Sequence, residues 1–132
     1  MLAAGDVFLV PDPEDSSGLS SHARVIVSDP SEDSDNLVMV TLTSWETYKE
    51  DTCLLDPKEL GGISFFRHRS CAEYRRSFLM PASTLLVGLN NKVVRKLGSV
   101  PAAALARLRK GAAESPQLPQ KCANILARQG LA

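Results

Sequence analysis

The chain has 132 residues, 44% of them apolar and 5% aromatic, which suffices for one hydrophobic core and is too little for two. No apolar run is long enough to cross a bilayer, and the opening Met1-Leu2-Ala3-Ala4-Gly5-Asp6 lacks the basic start and long apolar stretch of a secretory signal, so a cytoplasmic protein with no membrane partner is expected. Formal net charge is zero, yet residues 1–60 carry 13 acidic and 3 basic side chains whereas residues 61–132 carry 12 basic and 2 acidic. Two arrangements account for that split: acidic loops lying over the basic segment, or a basic face kept for an anion.

Val7 to Val10 is apolar throughout and reads as a buried strand, stopped by Pro11-Asp12-Pro13. Glu14 to Ser21 is polar and aperiodic, an exposed loop. A second strand is expected from His22 or Ala23 to Val27, and a third from Leu37 to Thr43. Trp45 to Asp51 reads as a loop with a helical turn, and Thr52 to Leu55 as a short fourth strand cut by Asp56-Pro57. Gly61-Gly62 marks a bend. Ser70 to Phe78 fits either a strand or a helical turn. Leu85 to Leu89 and Lys92 to Leu97, joined by Asn90-Asn91, read as a hairpin, because Asn tolerates the positive φ of a tight turn.

The tail changes period. Ala102 to Lys110 reads as a helix with Ser99 as its cap, Pro101 in its first turn and Gly111 at its end. Gln120 to Gln129 reads as a second helix, with Cys122, Ile125 and Leu126 on one face and Gly130 just beyond. The expected fold is therefore mainly β: a β-barrel domain over residues 1–98, with a C-terminal helical extension over 99–132 packed on or beside it. The odd cysteine count, Cys53, Cys71 and Cys122, fits buried free thiols.

The densest functional stretch is Phe65-Phe66-Arg67-His68-Arg69-Ser70-Cys71-Ala72-Glu73-Tyr74-Arg75-Arg76. Guanidinium forks match phosphate, aromatic rings stack on bases, and histidine moves protons near neutral pH, so the group suits binding or cleaving a phosphodiester. The alternative is structural: outward arginines paired with the acidic loops, and Phe65, Phe66 and Tyr74 in the core. His22 at the start of the second strand and Thr43-Ser44 at the end of the third add an acid–base group and hydroxyls. Cys53, His68 and Cys71 offer three metal-ligand types but no knuckle and no fourth ligand, and no glycine-rich phosphate loop exists, so no metal or cofactor is expected.

Gly5-Asp6-Val7-Phe8-Leu9-Val10-Pro11-Asp12-Pro13, Val25-Ile26-Val27-Ser28, Leu37-Val38-Met39-Val40-Thr41-Leu42-Thr43-Ser44 and the Asp51–Leu55 and Phe65–Arg75 stretches, in that order, resemble PemK/MazF-like toxins over residues 5–97. The resemblance implies an SH3-like barrel, a homodimer, and a toxin–antitoxin endoribonuclease that cuts single-stranded RNA without a metal and is silenced by an antitoxin protein. The family's Arg-Pro at the second strand is replaced by His22-Ala23, while the hydroxyl of Thr43-Ser44 is kept. Expected catalytic residues are His22, Thr43, Ser44, His68 and Arg75, with Arg24, Arg67, Arg69, Tyr74 and Arg76 contacting RNA. The alternative is a non-catalytic protein-interaction module that kept the barrel and lost cleavage.

Overall fold

Six strands, β1 (Asp6–Pro11), β2 (Ser21–Ile26), β3 (Leu37–Ser44), β4 (Leu54–Leu55), β5 (Ser70–Met80) and β6 (Arg95–Ser99), form one sheet in the order β4-β5-β3-β2-β1-β6. Every pairing is antiparallel. The computed structural model describes residues 1–13, 15–17 and 20–132. Glu14, Gly18 and Leu19, inside the polar loop expected at 14–21, lie outside the described residues. The sheet curls into a half-barrel, accompanied by α1 (Ala82–Asn90), α2 (Ala102–Glu114) and α3 (Gln120–Arg128).

The β-branched runs of β1, β2 and β3 pair as consecutive antiparallel neighbours because short turns suffice between such strands. The undecided stretch from Ser70 is a strand of 11 residues, β5, laid against β3. Its register breaks once. Thr41 faces Glu73 and Met39 faces Phe78, so two steps along β3 meet five along β5. The extra residues form a bulge, which bends the strand and re-aims its side chains.

Three expectations are corrected here. Residues 82–90 form helix α1 where a hairpin was expected. Leu85 and Leu89, four apart, fall on one helical face; Leu85 is fully buried and Leu89 packs on the same cluster. Asn90 and Asn91 end this helix, and the positive φ belongs to Lys92, at 62°. Gly111, expected to terminate α2, lies inside it, and the helix runs on to Glu114. A Cβ at Gly111 would sit 2.2 Å from the Tyr74 hydroxyl, so the missing side chain is what lets α2 approach β5. Ser99 does not cap α2 either: Pro101 holds the N-cap position, and the Ser99 hydroxyl donates to Asp6 at 2.7 Å.

The sheet has two unlike faces, since alternate strand residues point to opposite sides. On one, Val7, Val25, Val38, Val40, Leu42 and Tyr74 share a core with Leu108 of α2 and Cys122, Ile125 and Leu126 of α3. Polar ties fasten the helices to it: Arg109 Nε donates to the Val27 carbonyl at 2.8 Å, and the Asp29 amide to the Gln129 side chain at 2.7 Å. The other face carries a smaller cluster of Phe8, Val10, Ile26, Leu37 and Met39 beneath Leu85 and Val94. Beyond that cluster the same face turns polar. All three cysteines are free and buried, and burial pushes the thiols of Cys71 and Cys122 up to about 11.

Candidate functional site

The polar end of the second face is organised by Asp12, which follows β1 and is nearly inaccessible. His22 opposes Val10 at the start of β2, and its Nδ1 lies 2.7 Å from the Asp12 carboxylate. Arg24, two residues along and on the same face, donates to Asp12 at 2.5 Å. The Ser20 hydroxyl donates at 2.5 Å, and Arg76 reaches across from β5 to donate at 3.1 Å. Burial alone would raise the Asp12 pKa. Hydrogen bonds from Ser20 and His22, with the charges of His22 and Arg24, outweigh it and hold the group at about 2. Asp12 is therefore a carboxylate at all ordinary pH values, and it fixes the His22 ring through one nitrogen while leaving Nε2 for chemistry.

Arg24 and Thr41 are opposed in the β2–β3 register, and the guanidinium donates to the Thr41 hydroxyl. That hydroxyl donates in turn to the Arg76 carbonyl at 3.0 Å, in the β5 bulge. The Arg24 guanidinium also lies over the Phe78 ring, 5.1 Å from its centroid. One row along, Thr43 points the same way and accepts from Lys49 Nζ at 3.2 Å. His22, Thr43, Lys49, Arg75 and Arg76 line a cleft of about 570 Å³, together with Tyr48, Glu50, Glu73 and Gln117. Arg75 and Arg76 each lie 3.7 Å from a Glu73 oxygen, so their positive charge is partly offset at the cleft wall.

Of the residues singled out in the sequence, His22, Thr43, Arg75 and Arg76 come together in this cleft. Ser44, His68 and Arg67 line a smaller groove of about 160 Å³ that shares Thr43 with it. The two histidines thus line adjoining hollows that share Thr43. Arg69 is exposed and paired with Asp56 at 3.0 Å. Two assignments are corrected by burial. Arg24 and Tyr74 have no accessible surface, so neither offers RNA a contact. Arg24 is the internal counter-charge of Asp12, and Tyr74 donates its hydroxyl to the Leu108 carbonyl at 2.8 Å in the helix-covered core.

Asp12 and Lys49 were not among the residues expected at the site. The available signal for Asp12 was an acid held between two prolines at the end of a strand, shortly before a histidine opens the next. Lys49 sits in an irregular loop whose sequence carries no such signal. Cys53, His68 and Cys71 do not assemble: among the described residues no three His, Cys, Asp or Glu side chains gather where a metal ion would sit. No helix among the described residues is long and apolar enough to cross a membrane.

The charge split is met in part by pairs within the fold. Asp12 pairs with Arg76, Asp33 with Arg128, Asp56 with Arg69, Glu59 with Arg107 and Asp6 with Lys96, each joining the acidic half to the basic one. Arg67, Arg75 and Arg95 remain exposed to solvent. The sequence matches no protein-family model and no curated protein sequence.

Proposed function

We propose that this protein is a metal-independent endoribonuclease for single-stranded RNA, built on an SH3-like barrel of the PemK/MazF type. In this reading it acts in the cytoplasm as the homodimeric toxin of a toxin–antitoxin pair, restrained by an antitoxin protein. The observation that carries the reading is a histidine oriented by a buried carboxylate beside a strand-end hydroxyl, in a cleft walled by Lys49, Arg75 and Arg76.

The chemistry follows from those positions. His22 Nε2 takes the proton of a ribose 2′-hydroxyl, and the 2′-oxygen attacks phosphorus. The bond to the 5′-oxygen breaks, leaving a 2′,3′-cyclic phosphate and a 5′-hydroxyl. In-line displacement needs base and acid on opposite sides of phosphorus; with His22 and His68 in adjoining hollows that share Thr43, His68 gives the leaving oxygen its proton. Arg75, Arg76 and Lys49 offset the added charge of the phosphorane, and the Thr43 hydroxyl donates to a non-bridging oxygen. Asp12 is a positioning residue: it sets the His22 tautomer and holds the ring in place.

Induced expression in a bacterial host tests the reading, comparing wild type with His22→Ala and His68→Ala and running total RNA on a gel. Growth arrest and RNA fragmentation with wild type, both lost in folded His22→Ala, are expected. Normal growth with intact RNA from folded wild type contradicts it. A second reading, a non-catalytic protein-interaction module, is favoured by exposed Leu86, Val87 and Val93 on and just after α1. That module predicts a stable complex in a pull-down and no RNA damage.

A further inference from the structure

The cleft around His22 does not end at Thr43. The smaller groove that begins there is walled by Phe65, Phe66, Arg67 and His68. Phe65 and Arg67 also belong to a third depression, of about 540 Å³, completed by Ser64, Arg95, Lys96 and Leu97. Three hollows thus share walls in series.

The topology explains why they meet. β4 and β6 lie at opposite ends of the sheet order, and the connection between β4 and β5 runs back across the gap between them. Ile63 of that connection reaches β6 so closely that a Cβ on Gly98 would lie 3.1 Å from it. Ile63 and Leu97 both pack on the core covered by α2 and α3. The seam of the curled sheet is therefore closed by the loop that carries Phe65 and Arg67, opposite Arg95 and Lys96 on β6.

Its chemistry is one-sided. Among the described residues neither the smaller groove nor the third depression has an Asp or Glu in its wall, although the whole chain is neutral. Among the described residues, Lys96 alone of its cations has a carboxylate partner, Asp6 at 3.6 Å, and Arg67 and Arg95 have no described carboxylate within ion-pair distance. Phe65 is 43% exposed, and its ring meets that of buried Phe66 edge to face, with centroids 5.5 Å apart. An exposed aromatic fixed by a buried one, flanked by guanidinium forks, matches a base on a ring and phosphates on either side. An acidic peptide would use the cations and leave the ring idle.

We infer that the seam lined by Phe65, Arg67, Arg95 and Lys96 is a subsite for single-stranded nucleic acid, in which Phe65 stacks one base and the cations hold the flanking phosphates. The strand then continues past Thr43 to the cleft. Its register relative to a scissile phosphate rests on the ribonuclease reading; its existence does not.

The test is fluorescence anisotropy with a labelled oligouridylate of about ten nucleotides, in a His22→Ala background so that the probe survives. Phe65→Ala weakens binding roughly tenfold while Phe65→Trp retains it. Arg95→Gln lowers the salt slope of log K by about 0.7, the value for one lost single-strand phosphate contact. Melting temperatures confirm that each variant is folded. Unchanged affinity and slope in folded Phe65→Ala and Arg95→Gln overturn the subsite, even if wild type cleaves RNA. Binding that depends on Phe65 and Arg95, together with a folded wild type that leaves RNA whole, upholds the subsite and removes the ribonuclease reading. Tighter capture of a polyglutamate peptide than of the oligouridylate overturns it in favour of an acidic protein partner.

Discussion

The two faces of the sheet are made by alternate residues of the same strands, yet they are built on different principles. The face under α2 and α3 is apolar from end to end, and the hydroxyl of Tyr74, its one large polar handle, is satisfied by the Leu108 carbonyl. The face under α1 is apolar only around Leu85 and Val94. Past that small cluster it gathers Asp12, His22, Arg24, Thr41, Thr43 and Glu73, with full burial of Arg24 and Thr41. Apolar residues there would be the simpler way to stability, since a buried ion pair recovers little more than its own desolvation. A chain that places a paired carboxylate, an oriented imidazole and buried arginine beside an open cleft uses that face for something other than holding the fold together.

That contrast can be broken from either side. The largest effect is expected on the polar face: Asp12→Asn removes a buried carboxylate paired with buried Arg24 and costs about 3–5 kcal/mol in urea unfolding. A loss below about 1 kcal/mol would mean that the cluster is more hydrated than its burial implies. Next comes the apolar face, where Gly111→Ala drives a methyl into the Tyr74 hydroxyl and costs about 3 kcal/mol by overpacking. Pairing it with Tyr74→Phe, which removes the hydroxyl that is met, recovers part of that loss, and the double-mutant coupling measures the contact. Full additivity would place the strain elsewhere.

Acid sharpens the comparison further. The Asp12 carboxyl is held at about 2 against an ordinary 3.8, so its contribution is complete above pH 4 and disappears as the pH falls through 2. About 2 kcal/mol should be lost over that window in wild type. Asp12→Asn should lack this component, and an unaltered acid slope in the variant would assign it to other carboxylates. The smallest stability effect is expected for His22→Ala, within about 1 kcal/mol, because His22 keeps partial solvent contact and Arg24 and Arg76 still hold Asp12. This variant removes the imidazole and keeps the fold.

The parts of the molecule that were legible are those in which one residue's type decides its role. Val7–Val10, Val25–Ile26 and Leu37–Leu42 are strands because β-branched apolar residues have few other uses, and Cys122, Ile125 and Leu126 repeat at helical spacing. The hairpin reading of 85–97 failed because a short apolar run has no period of its own, and Asn ends a helix as readily as it turns a strand. Gly111 misled for a related reason: a glycine near a helix end signals termination unless something must approach it, and Tyr74 lies distant in sequence. The histidine and hydroxyl of the site were visible at strand ends. Asp12 was not, because its meaning depends on Arg24 and Arg76 meeting it through the sheet register and the β5 bulge. The same register sends Arg24 inside and leaves Arg75 out, a distinction that two arginines in a sequence do not carry.

The central claim is that His22 and its carboxylate cut RNA through the 2′-hydroxyl. Purified protein incubated in a metal chelator with a labelled single-stranded RNA, and in parallel with DNA of the same sequence, tests it most directly. The account predicts cleavage of the RNA to 2′,3′-cyclic phosphate ends, intact DNA, and a loss of at least about 100-fold in folded His22→Ala. RNA left whole by wild type, DNA cut equally well, or a folded His22→Ala as active as wild type would contradict it.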